Sequence, residues 1–334
     1  MTDPQPTESR GRPGKRRVQA VVVENFKVIS QPGSTYEKTR AHLMGQGWQI
    51  HETEHFLFAR APSTASILLV HRFSAQEIDN SLGEYLVQEL APYGLLPGEG
   101  AFGAAMRGVV ASICPGDPVA AWGFFSLNTL QRLRTKLDTS SPGAAADEGD
   151  LLLPFARMYR RLLALLVGSS LLDVGCACAF WPLLVAERHP EQFKRIVGVD
   201  NRTDALALSE QLASLARIDT AEFVLADVLS AEFATLGSFD TVTAIHLLEH
   251  LSEEQLPLAL THLLQVTGHR LLIAVPYEEQ PTLAYGHAQV FTHAKLEAWG
   301  HWCIEWLDGR GKMHCEDLAG GLLLIERTPE EGRH

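Results

Sequence analysis

Two stretches gather side chains that can move a proton. His246, Glu249 and His250 follow the apolar run "FDTVTAI", and the segment "VPYEEQPTLAYGHAQVF" at 275–291 adds Tyr277, Glu278, Glu279, Tyr285 and His287. A carbon-bound hydroxyl ionises poorly at neutral pH, and histidine, which titrates near neutrality, is the natural group to accept its proton. His287, flanked by Gly286 in a long loop, is the first candidate for that base and His250 the second. The alternative for both is hydrogen-bonded support of the loop. Glu249, Tyr277, Glu278, Glu279 and Tyr285 are candidates to touch an acceptor, and Trp181, Tyr277 and Tyr285 offer rings to stack on one. His246, His250 and His287 with Glu249, Glu278 and Glu279 could also surround a divalent cation. Their spacing matches no recognised ligand pattern, and no metal is assigned.

Three further carboxylates stand at the ends of apolar runs. Asp173 lies in "LLDVGCACAFWP", Asp200 closes "RIVGVD" with Asn201 next, and Asp227 closes "FVLAD". Taken singly, each reads as a helix cap. Taken in order they mark successive strand ends, the edge where open α/β sheets bind ligands. The turn at 175 selects among those ligands. A dinucleotide fingerprint asks for glycine at 175, 177 and 180, whereas the chain has Gly175, Ala177 and Phe180. Phenylalanine does not fit where helix and strand pack beside a pyrophosphate. A methyl donor without phosphate asks only for close backbone approach, and Pro182 suits the first turn of the following helix.

These residues need a scaffold that alternates strand and helix, and the pattern from 170 to 327 supplies one. "SLLDVG", "RIVGVD", "AEFVLAD", "FDTVTAIH" and "HRLLIAVP" read as strands separated by helical segments, which predicts a parallel sheet covered on both faces. "WCIEWLD" and "GLLLIER" read as a closing antiparallel pair joined by a Gly-rich hairpin loop at 309–321. Ahead of this domain, taken as 167–334, residues 18–74 read as a small α+β unit whose helix ends at Gly45 and Gly47. Residues 75–166 read as a helical cap or insert, carrying a polar loop at 138–150 that is expected to be mobile. Residues 1–17 are expected to be a disordered basic tail.

The chain has 334 residues, 46% hydrophobic and 20% charged, enough for more than one domain. No apolar run reaches the roughly 20 residues of a membrane span, so no membrane partner is expected. The net charge of −12 argues against nucleic acid as a partner, since an acidic body repels phosphates. Five cysteines without a framework spacing, and a Cys176-Ala177-Cys178 that lacks the gap of a zinc site, point to a reducing cytoplasm.

The order and spacing of Asp173, Gly175, Asp200, Asp227 and "FDTVTAIHLLEHL" resemble the class I S-adenosylmethionine (SAM)-dependent methyltransferases. That resemblance implies a Rossmann-like α/β fold with a seven-stranded sheet, parallel except for an antiparallel last strand. It also implies SAM as cofactor, with Asp173, Gly175, Ala177, Asp200, Asn201, Asp227 and His246 around it. The alanines at 177 and 179 depart from the glycine-rich pattern. More narrowly, "DTVTAIHLLEHL", "AVPYEEQPTLAYGHAQVF", "HRFSAQEIDNSLGEYLVQELAPYGLLPGE" and "AAWGFFSLNTLQRL" resemble the mycofactocin oligosaccharide methyltransferases, from residue 70 onward. The implied acceptor is a hydroxyl of a β-linked glucose chain on a peptide-derived redox cofactor. No "NPPY" or "DPPY" follows the fourth strand, which argues against methylation of amide or base nitrogens. A methyltransferase for another small molecule or lipid, and a non-catalytic binding subunit of the same fold, are the competing readings.

Overall fold

The computed structural model describes residues 20–31, 35–45, 48–60, 66–139 and 149–328. The tail at 1–17, Gly47 and most of the 138–150 loop lie outside these residues.

The main sheet is built from apolar runs that the helices cover. It comprises β6 (Ser170–Val174), β7 (Arg195–Asp200), β8 (Ala221–Leu225), β9 (Phe239–Ile245), β10 (Thr267–Val275), β11 (Gly311–Asp317) and β12 (Gly321–Arg327), in the order β11-β12-β10-β9-β6-β7-β8. β6, β7, β8, β9 and β10 pair in parallel, and β12 runs antiparallel to both β10 and β11. β12 alone is therefore reversed, because β11 runs with the parallel set. Helices α6 (Phe180–Arg188), α7 (Thr203–Ala216), α8 (Leu256–Val266) and α9 (His293–Trp306) connect the strands. One face buries Val242, Leu260 and Ile273 among others, and the opposite face buries Leu171, Leu184 and Leu272. At roughly 1.5–3 kcal/mol per fully buried large aliphatic side chain, these faces dominate the stability of the sheet. Chain order reverses direction between β6 and β9, which opens a crevice at their carboxyl ends.

The expected closing pair is placed differently. Residues 302–306 form the end of α9 and 307–308 a turn rather than a strand, and the expected hairpin loop contains β11 itself. Leu296, Gly300 and Cys303 are the buried residues of α9, and Leu307 buries just beyond it, a helical stripe. α9 packs closely on β11 and β12 at Gly300, where a Cβ would approach Met313 Cε to 2.4 Å and Leu323 Cδ1 to 2.9 Å and both side chains would have to shift.

The amino-terminal sheet has five strands, β1 (Val21–Val23), β2 (Phe26–Ser30), β3 (Ile50–Glu52), β4 (Phe56–Arg60) and β5 (Ile67–His71), ordered β1-β2-β5-β4-β3. β1 and β2 are separated at Glu24, whose φ of 51° makes the turn between them. α1 (Thr35–Gly45) crosses from β2 to β3. Four helices follow: α2 (Ser81–Leu90), α3 (Glu99–Ile113), α4 (Pro118–Thr139) and α5 (Leu153–Leu165). Leu82, Leu86 and Leu90 form the buried stripe of α2. α3 lies so close on β2 that a Cβ at Gly108 would meet Val28 Cγ2 at 2.6 Å. α4 then reaches the main domain, where Arg134 pairs with Glu187 of α6 and Gln211 of α7 donates to the Val119 carbonyl at 2.6 Å.

Candidate functional site

The donor-side residues are organised by backbone. Gly175 (φ 78°) follows β6, and its N–H and that of Cys176 both donate to the Val199 carbonyl at 2.8 and 2.9 Å, tying the turn to β7. Ala177 and Ala179 then adopt left-handed φ values of 46° and 58°. These are glycine-like conformations held by alanine, so the turn keeps the shape of a glycine-rich loop without the glycines. The Ala177 N–H donates to Asp200 Oδ2 at 3.0 Å, and the Arg202 N–H donates to Asp200 Oδ1 at 3.0 Å. Each carboxylate oxygen retains a lone pair for a ligand hydroxyl. Because the Ala177 N–H faces Asp200, it does not form the phosphate cradle that a dinucleotide needs. Asn201 and Asp227 are exposed at the ends of β7 and β8, with Asp227 Oδ1 accepting the Leu229 N–H at 2.9 Å.

Asp173 is buried in the sheet rather than open to the crevice. Thr243 Oγ1 donates to its Oδ1 at 2.7 Å, and Trp181 Nε1 donates to the same threonine hydroxyl at 3.2 Å. Loss of hydration pushes the Asp173 carboxyl up to about 7, with the Thr243 hydrogen bond opposing and Asp200 adding to the rise. Trp181 is thus a core residue, its ring tilted against that of Tyr159 at 5.3 Å between centroids, not an acceptor platform.

The acceptor-side residues are organised by side chains. After β9, His246 takes a left-handed φ of 52°, and Leu248–His250 form a single 3₁₀ turn. Glu249 is 1% exposed; its Oε1 lies 3.0 Å from His246 Nδ1, and its Oε2 has no hydrogen-bond partner. Gln289 clamps this turn by donating to the carbonyls of Leu248 and Leu251 at 3.2 and 2.6 Å. After β10, the loop folds back so that His287 Nδ1 lies 2.8 Å from Glu278 Oε2, with Thr282 Oγ1 donating to Glu278 Oε1 at 2.6 Å. The His287 ring meets the His250 ring edge-on, with centroids 5.0 Å apart. His250 keeps an exposed edge, yet desolvation by its neighbours lowers its pKa below the usual value.

The structure therefore brings Glu249, His250, Glu278 and His287 together and leaves other candidates apart. Glu279 is exposed. Tyr277 turns towards β11, where its hydroxyl donates to Asp317 Oδ1 at 3.1 Å and its ring abuts Gly321. Tyr285 stands beside His287 but points its hydroxyl at Glu84 Oε2 of α2, 2.9 Å away, and its ring packs edge-on against Phe102 of α3. Two groups that motif reasoning passed over complete the edge. Glu99, first residue of α3, lies where a Cβ on Gly286 would touch it, and it also lies 4.0 Å from Arg202. Leu247 packs over Gly175, so the turn after β9 adjoins the donor loop.

The reversed β12 within an otherwise parallel seven-stranded sheet, with polar strand ends on one edge, defines the Rossmann-like fold of class I methyltransferases. Residues 171–269 match the family described as a methyltransferase domain. No curated protein matches the sequence. Among solved structures, the magnesium protoporphyrin IX methyltransferase of Synechocystis PCC 6803 with bound SAH aligns at 16% identity, covering 59% of this chain and 93% of that one, with a TM-score of 0.42. The amino-terminal domain of EvdMO1 with SAH bound aligns at 20% identity over 60% of this chain and 95% of that one, at 0.40. The methyltransferase domain of bacterial CtHen1 aligns at 16% identity over 53% and 100%, at 0.43.

Proposed function

We propose that this chain methylates a hydroxyl oxygen of a small glycosylated acceptor, of the mycofactocin oligosaccharide type. The observation that carries the reading is the His287–Glu278 pair, held at 2.8 Å beside His250 and Glu249 on the edge that also carries Asp200. SAM, when bound, supplies an electrophilic methyl carbon on a sulfonium. Asp200 and Asp227 hold hydroxyl and amino groups of the donor, Gly175 and Ala177 present backbone to it, and Asn201 and His246 flank it. Asp173 supports the strand end through Thr243.

Glu278 engages Nδ1 of His287 and so leaves Nε2 as the lone pair facing the acceptor. The hydroxyl proton passes to Nε2, and the Glu278 carboxylate steadies the imidazolium that results. Most of the remaining rate comes from alignment of oxygen and methyl carbon at about 3–3.5 Å. Helices α2 and α3 serve as a cover, through Glu84 on Tyr285 and Glu99 beside Gly286, and limit water at the reacting atoms. A neutral oligosaccharide needs no basic cleft, which suits a chain of net charge −12.

The test is calorimetric titration with S-adenosylhomocysteine, followed by a transfer assay read by the mass of the methylated product. The native chain binds with micromolar affinity, Asp200→Ala weakens that by about 100-fold, and glycosylated acceptors gain one methyl. Binding without transfer to any hydroxyl acceptor would point to the non-catalytic reading.

A further inference from the structure

We propose that Glu249, His250 and His287 form a binding site for one divalent cation. The inference rests on the proposed function and deepens it by giving the acceptor hydroxyl an electrophile to sit on.

Each of the three side chains offers one ligand atom, and these atoms all lie within 4.8 Å of one another. Two imidazoles and one carboxylate form the facial set that transition cations accept with positions left open for substrate. Three independent observations fit ligation better than a merely polar corner. First, the Glu249 side chain is buried, yet its Oε2 has no hydrogen-bond partner. An unsatisfied buried carboxylate oxygen costs on the order of 1–3 kcal/mol or more, and a cation is one group that satisfies it. Second, Glu278 engages His287 Nδ1, the carboxylate–histidine arrangement that orients a ligating imidazole through its other nitrogen. Third, the exposed His250 ring stands edge-on to the His287 ring with centroids 5.0 Å apart, which places both imidazoles at one corner. An ion about 2.1 Å from each ligand needs ligand atoms closer together than they now stand. His250, the exposed member of the three, is the one with room to reorient on binding.

A cation here polarises a hydroxyl oxygen placed on its open side and lowers the pKa of that hydroxyl. In the cation-loaded chain the His287 Nε2 lone pair binds the ion instead of the proton, so the cation replaces the base of the metal-free reaction and the hydroxyl proton leaves to water at the exposed edge beside His250. Glu279 and Tyr277, which face elsewhere, take no part.

The experiment is Mn²⁺ titration of chelator-treated native chain, followed by calorimetry and by loss of the free-Mn²⁺ electron paramagnetic resonance signal. The expected result is one Mn²⁺ per chain at micromolar affinity, weakened at least 30-fold by Glu249→Gln and by His250→Asn. Titration with S-adenosylhomocysteine, read in parallel, reports whether each variant retains its fold. Mn²⁺ binding that is absent, or equal in native chain and both folded variants, overturns the cation site. Transfer that persists in chelator-treated protein also overturns its role while leaving the proposed methyl transfer standing. Loss of S-adenosylhomocysteine binding by the native chain sinks the methyltransferase reading instead.

Discussion

The two halves of the strand-end edge are built from different materials. On the donor half, around β6, β7 and β8, main-chain groups make most of the contacts. Asp200 accepts N–H groups from residues 177 and 202, and the Val199 carbonyl accepts two more. On the acceptor half, after β9 and β10, the contacts run from side chain to side chain: His287 to Glu278, His246 to Glu249, Tyr285 to Glu84. A site defined by backbone tolerates changed side chains as long as the path of the chain is kept, and the alanines at 177 and 179 keep it. A site defined by side chains does not, and each of its members carries an identifiable part of the chemistry.

The sharpest break of this comparison is His287→Ala. It removes the group proposed to take the acceptor proton or to hold the cation, and leaves the donor half untouched. Transfer should fall by roughly 10²- to 10⁴-fold, the span of a general acid–base group, while S-adenosylhomocysteine affinity stays within about twofold. Glu278→Gln should cost less, since Nε2 remains and only its orientation loosens. Single-turnover rates together with calorimetry check both. A parallel loss of donor affinity would mean that the two halves are one structural unit.

The same contrast explains what the sequence disclosed. The strand ends of the donor half were legible because apolar runs carrying Asp173, Asp200 and Asp227 are local features, and their order alone implies the sheet. The acceptor half showed its residue types but not its partners. The Tyr285–Glu84 bond spans 201 positions, and no periodicity announces it. Nor did the sequence distinguish Glu278, which supports His287, from its neighbour Glu279, which faces solvent. The carboxyl-terminal misreading has a similar cause. Trp302, Ile304 and Trp306 alternate like a strand, while the buried stripe of Leu296, Gly300, Cys303 and Leu307 is helical. β11, "GKMHCED", lies at the sheet edge with alternating exposure, so little apolar signal marks it.

Asp173 belongs to the donor half by position, yet burial makes it behave as core. Its folded pKa of about 7 lies above its unfolded value near 3.8, so folding takes up a proton between these pH values. The stability this group contributes is complete below pH 3.8 and is lost as pH rises through 7. Asp173→Asn removes the buried charge and keeps an oxygen to accept from Thr243. The variant should melt above the native chain at pH 8, by about 2–4 °C for each kcal/mol recovered, with the difference shrinking towards pH 5. Donor affinity should drop by less than tenfold, well short of the loss for Asp200→Ala. Thermal melts at the two pH values, paired with calorimetry, decide it. An Asp173→Asn loss equal to that of Asp200→Ala would place Asp173 in direct contact with the donor.

The smallest effect tests the backbone side of the comparison most directly, because Ala177 and Ala179 share a conformation and differ in burial. An L-residue in the left-handed region costs about 1–2 kcal/mol, and glycine relieves that at an unfolded-state entropy cost of about 0.4–1 kcal/mol. At exposed Ala177 nothing else is lost, so Ala177→Gly should raise the melting temperature by about 1–3 °C. Ala179 is fully buried against the core that contains Leu183 and Trp181. Deleting its methyl forfeits roughly 0.8 kcal/mol of burial and cancels the relief, so Ala179→Gly should leave stability near the native value. Donor affinity should stay within about twofold in both, since the loop path is already that of glycine. A several-fold tightening in Ala177→Gly would instead show that the alanine methyl, rather than the backbone path, limits how closely the donor approaches the turn.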